Sequence, residues 1–175
     1  MKKIILSTVV IVAVIIGCKT NSNSSDTKKL NIRFESKSNS SVSGNASFVE
    51  KNGSVYFVAN LAGLKPGIHA IHIHEKSDCS AADGSSAGGH WNPTFKNHGK
   101  WGAASYHKGD IGNFTANAQG EGTITLTTAE WCIGCGDATK DILGKGLIVH
   151  EGADDFTSQP SGNAGARVAC SAIIK

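Results

Sequence analysis

Three absences narrow what this chain of 175 residues can be. Apolar residues do not recur every three to four positions, so no convincing amphipathic helix is present and a helix bundle is excluded. Charge of one sign is not in excess: 17 Lys and Arg against 14 Asp and Glu leave +3, which gives no case for a nucleic-acid partner. Proline is scarce, 3 residues against 21 glycines, which suits one domain with many turns and a modest core. The long uncharged apolar run, Ile4 to Ile16, is too short to span a bilayer comfortably.

That run follows Lys2 and Lys3, the pattern of a basic n-region and apolar h-region in an export signal. It ends in Ile16-Gly17-Cys18, which resembles a bacterial lipoprotein signal. The resemblance implies removal of residues 1–17 and lipidation of Cys18. Residues 18–29 then form a hydrophilic, Ser- and Asn-rich flexible tether, and residues 30–175 the folded domain. The expected location is the bacterial cell envelope, lipid-anchored and facing the periplasm, with the membrane touched only through Cys18. Lys19 stands where an acidic residue often retains lipoproteins at the inner membrane, which slightly favours the outer one. Four further cysteines, Cys79, Cys132, Cys135 and Cys170, allow three pairings in an exported domain. A local Cys132–Cys135 bridge with a long-range Cys79–Cys170 bridge is the simplest.

From Leu30 onward, short alternating runs are broken by turn residues. Strands are expected over 30–36, 43–50, 54–62, 68–75, 111–116, 122–128, 145–150 and 167–174. Asn52-Gly53 between the second and third is a hairpin signal, because both residues accept the positive φ angles of a type I′ turn. Val55, Phe57, Ala59 and Leu61 share one parity and should face the core. The pattern predicts an all-β, eight-stranded Greek-key β-sandwich or flattened barrel, immunoglobulin-like, with two long functional loops over 76–109 and 151–166.

The histidines are the candidate chemistry. In Ile71-His72-Ile73-His74 a strand places both imidazoles on one face, roughly 6.5–7 Å apart, close enough to reach one ion. His69 has the parity of the isoleucines and is excluded from that pair. His90, His98, His107 and His150 follow in Gly-rich surroundings, a distribution that reads as a metal site.

Six fragments carry a family resemblance: Gly67-Ile-His-Ala-Ile-His-Ile-His-Glu75, Ala87-Gly-Gly-His-Trp-Asn-Pro93, His98-Gly99, His107-Lys-Gly-Asp-Ile-Gly-Asn113, Val149-His-Glu-Gly-Ala-Asp-Asp155 and Gly162-Asn-Ala-Gly-Ala-Arg-Val-Ala-Cys170. In this order they resemble the copper/zinc superoxide dismutases. The resemblance implies one copper per chain on His72, His74, His90 and His150. It also implies one zinc per chain on His90, His98, His107 and Asp110, with His90 joining the two ions and passing a proton. Superoxide would be the substrate, drawn in by Arg167; Asp154 would link a copper and a zinc histidine from behind, and His69 would be a core histidine bonded to backbone. Four imidazoles suit a redox metal, and three with a carboxylate suit zinc. Cys132-Ile-Gly-Cys135 is not a general family feature; it is open as a structural bridge, a redox switch or a copper entry point. Pro160 stands near where relatives place guiding lysines, so steering falls to Arg167 with Lys108 or Lys145. A homodimer is one assembly compatible with the resemblance. The competing readings are an envelope copper/zinc buffer or chaperone without turnover, and a structural or adhesive lipoprotein that kept the fold.

Overall fold

The computed structural model describes residues 27–175, so the expected signal and Cys18 lie outside the described residues. Eight strands follow in order: β1 Lys28–Ser36, β2 Ser43–Lys51, β3 Ser54–Ala62, β4 Gly67–His74, β5 Gly112–Ala116, β6 Gly122–Thr128, β7 Lys145–His150 and β8 Arg167–Ile173. A single 3-10 turn, Ser85–Ala87, is the only helical element among the described residues, none of which forms a helix long and apolar enough to cross a membrane. All pairings are antiparallel, in the order β5-β4-β7-β8-β1-β2-β3-β6. The two ends of that order meet: a Cβ added to Gly122 would lie 2.7 Å from the Phe114 ring, so only glycine lets β6 close against β5. The result is the expected nearly closed sandwich.

Strand bounds shift by one or two residues from expectation. The largest shift is at β1, which begins at Lys28 because β2 runs on to Lys51 and pairs Lys28 with Glu50 and Lys29 with Val49. The last two residues of the expected tether are therefore strand. Asn52 (φ 53°) and Gly53 (φ 74°) form the predicted turn, with Lys51 opposite Ser54. Val55, Phe57, Ala59 and Leu61 are buried as their parity requires, and the Phe57 ring packs tilted against Phe48 and edge-on against Trp131.

This frame delivers the site residues to one side. On β4, Ile71 and Ile73 enter the core while His72 and His74 face out beneath the two long loops. Strand β7 ends at His150 with a break in register after Val149, and β8 opens at Arg167. An isolated bridge, His74 to His90, draws the first loop back onto β4.

Candidate metal centre

His72, His74, His90 and His150 each offer a ring nitrogen, and these nitrogens lie within 4.8 Å of one another. The other nitrogen of each ring is engaged. His72 Nε2 meets Asp154 Oδ2 at 2.9 Å, His74 Nδ1 the Gly88 carbonyl at 2.9 Å, His90 Nδ1 Asp110 Oδ1 at 2.8 Å and His150 Nδ1 the Gly165 carbonyl at 3.3 Å. Left over are His72 Nδ1, His74 Nε2, His90 Nε2 and His150 Nε2, buried and without a hydrogen-bond partner. Buried polar atoms are normally satisfied, so four exceptions converging on one point mark a place for a cation.

A second group shares His90 and adds His98, His107 and Asp110, again within 4.8 Å. His98 Nδ1 and His107 Nδ1 both point at the Asp110 carboxylate, at 3.0 and 3.3 Å, and have no partner outside the group. The donor set of three imidazoles and one carboxylate suits a closed, redox-inert site; the all-imidazole set suits copper. Asp110 is oriented by the backbone N–H groups of His107 and Gly99.

Burial first, then the neighbouring histidines, keeps His74 and His150 well below the ordinary imidazole pKa, so both stay neutral and ready to ligate. Burial likewise takes His90 down to about 4 against the opposing pull of Asp110. His98 goes the other way: burial alone would lower it, yet bonds to Asp110 and Asp154 raise it to about 9. In the metal-free chain His98 is therefore an imidazolium at neutral pH. Its stabilising effect is complete below the ordinary value of 6.5 and is lost as pH rises through about 9. A cation taken up by this ring nitrogen must displace that proton. Calorimetric zinc titration at pH 7.5 in buffers of differing ionisation heat should report release of about one proton from this ring; zinc uptake with no proton release would contradict this charge state.

Asp154 holds the two groups together, accepting from His72 Nε2 and His98 Nε2, both at 2.9 Å, and from the Phe156 N–H. Burial would raise its pKa, but the two histidine bonds outweigh that and hold it well below the usual carboxylate range. Three supporting residues escaped the sequence reading. Asn113 of β5 clamps the Asp154 backbone through both its N–H and its carbonyl. Gln159 does the same for His98. A Cβ on Gly162 would sit 1.8 Å from Asp154 Oδ1 and 2.6 Å from His98 Nε2, so glycine is required there. Two of them, Asn113 and Gly162, stand inside the fragments quoted above, which is the only sequence signal they give. His69 lies behind the site as expected, its nitrogens on the carbonyls of His150 (2.9 Å) and Lys65 (2.7 Å).

A cleft of ≈ 570 Å³ opens onto His74, His90, His107 and His150 and is rimmed by Arg167 and Lys96. Arg167 donates from Nη1 to the Gly84 carbonyl and from Nη2 to the Gly88 carbonyl, both at 2.8 Å. Burial lowers its pKa, but a guanidinium stays charged in a protein. The lysine expectation needs correction: Lys108 is drawn into an ion pair with Glu130, Lys145 lies over the Trp91 ring at 5.8 Å, and neither lines the cleft. The lysine that does is Lys96. Both disulfides form in the simplest pairing, Cys79–Cys170 and Cys132–Cys135. The first ties the loop bearing Gly84 and Gly88 to the strand bearing Arg167.

Comparison with known proteins agrees with this geometry. Residues 42–173 match the family model described as copper/zinc superoxide dismutase. A curated relative from Aquifex aeolicus (strain VF5), "Superoxide dismutase [Cu-Zn] 2", is 35% identical over 135 residues, 75% of this chain and 79% of that protein. The crystal structure of the clock protein EA4 superposes with a TM-score of 0.72 at 31% identity, covering 83% of this chain and 94% of that one.

Proposed function

The chain belongs to the copper/zinc superoxide dismutase family, and from that premise we propose that its two histidine groups hold one copper and one zinc and convert two superoxide anions and two protons into dioxygen and hydrogen peroxide. Copper on His72, His74, His90 and His150 would supply the one-electron couple, which zinc on His90, His98, His107 and Asp110 cannot. The remaining work falls to the protein. Arg167, its fork steadied by two carbonyls, attracts the anion and turns it toward the floor of the cleft, where His74, His90 and His150 lie. Nε2 of His90 is the atom best suited to carry a proton, since burial makes its imidazolium a ready donor. Asp154 fixes the tautomers of His72 and His98, leaving Nδ1 of each free to bind. His90 thus joins the two groups.

The observation that carries this reading is the set of six buried histidine nitrogens with no partner outside their own group, divided between two groups with one member in common. The test is metal analysis with a superoxide-consumption assay on the purified, oxidised domain. About one copper and one zinc per chain, with activity lost on copper chelation, is the expected result. A fully metallated protein with no turnover would leave a copper/zinc buffer as the better reading. We further propose an enzyme anchored by lipid at Cys18 in a bacterial envelope, on the strength of Lys2-Lys3, the apolar run and Gly17-Cys18. Mass spectrometry of the membrane-extracted chain should find Cys18 as an acylated N-terminus; an unmodified Cys18 would refute the anchor.

A further inference from the structure

The loop between β6 and β7 carries a bridge that the dismutase chemistry does not use. Cys132–Cys135 spans a sequence separation of 3, against 91 for Cys79–Cys170, so it restrains few conformations of the unfolded chain. The loop is closed without it. Cys132 N–H donates to Lys140 O and Ile142 N–H to Cys132 O, while the Asp141 carboxylate accepts from the N–H groups of Gly134 and Gly136. Trp131, Ile133 and Ile142 anchor the same segment in the core. A bridge that is structurally redundant is free to open.

Its two cysteines are unequally placed: Cys132 is buried and Cys135 exposed. Two ammonium groups border the turn. Lys28 Nζ donates to the Ile133 carbonyl at 2.9 Å while also meeting Glu50, and a Cβ on Gly134 would lie 3.6 Å from Lys175 Nζ. Positive charge favours a thiolate where it reaches one, but Lys28 is offset by its ion pair with Glu50. An oxygen of the ionised Asp141 carboxylate lies within 4.8 Å of both sulfurs and works against a thiolate, so exchange here rests on the redundancy of the bridge and on the exposure of Cys135.

We propose that Cys132–Cys135 is a thiol–disulfide exchange site for an external dithiol, separate from the metal groups and from the Cys79–Cys170 bridge. A partner thiolate attacks Sγ of Cys135, the S–S bond breaks, and its electron pair leaves on Sγ of Cys132, which takes a proton from water. The partner's second thiolate then attacks its own sulfur in the mixed disulfide and releases Cys135. The dithiol ends oxidised by two electrons and the cysteine pair reduced by two.

The copper- and zinc-loaded chain is equilibrated in graded dithiothreitol redox buffers, alkylated and mapped by mass spectrometry. Expected is labelling of Cys132 and Cys135 at a dithiol-to-disulfide ratio on the order of 100-fold below that needed for Cys79 and Cys170, with metal content unchanged. Oxidised glutathione should cap Cys135 in a Cys132→Ser chain at least about ten-fold faster than it caps Cys132 in a Cys135→Ser chain. Opening of Cys132–Cys135 only together with Cys79–Cys170, or equal capping of the two single variants, overturns the proposal. Neither readout depends on superoxide turnover, so failure here is distinct from failure of the dismutase reading.

Discussion

Replacing His90 by alanine should remove both ions and lower turnover by more than about 100-fold, beyond what loss of an outer hydrogen-bonding partner of a metal ligand produces. His90 is the one histidine common to the two groups, with Nε2 free on one side and Nδ1 on Asp110 on the other. Its loss opens both. The matched variant is His98→Ala, whose ring nitrogens face Asp110 and Asp154 and which belongs to the second group alone. It should release zinc while copper stays. Metal analysis after dialysis reads the difference, and a His90→Ala chain that keeps either ion at full occupancy would show that the groups do not share this ring. The fold itself should persist in both variants, because neither side chain belongs to the apolar core.

Opening the long-range bridge has the second largest effect. A Cys79→Ser, Cys170→Ser chain loses the constraint on a loop with a sequence separation of 91. The chain-entropy model values that at roughly 4–5 kcal/mol, or a midpoint lower by on the order of 10 °C for a domain of this size. Function suffers separately, because the freed loop carries the Gly84 and Gly88 carbonyls that steady Arg167. Substrate capture should weaken and become less sensitive to salt, while the ions remain bound. Thermal unfolding and the salt dependence of kcat/KM measure the two parts. An unchanged midpoint would mean that the reduced loop is held by other contacts.

What the sequence made legible follows from period and proximity. Alternation along Val55 to Leu61 is a local property and placed a core face correctly. The same alternation separated His72 and His74 from His69, because a strand offers two faces and no third. Loops obey no such rule. Lys108 looks like a guide for anions until Glu130, 22 residues away, captures it, and Lys96 reaches the cleft only because of how its loop folds back. Asn113, Gln159 and Gly162 act through contacts that exist only once the second loop has closed over β4 and β5. Lys28 and Lys29 looked like tether because they are polar; the length of β2 made them strand.

The partnerless nitrogens also weigh on the polypeptide before any ion arrives. Each buried polar atom left unsatisfied costs roughly 1–3 kcal/mol, and His72 Nδ1, His74 Nε2, His90 Nε2 and His150 Nε2 are four of them in the metal-free chain. Capturing the ions lifts that burden, so maturation and conformational survival are a single equilibrium that melting curves with and without ions can follow. Scarcity of copper or zinc would then shrink the folded population itself, in addition to silencing the copies that remain.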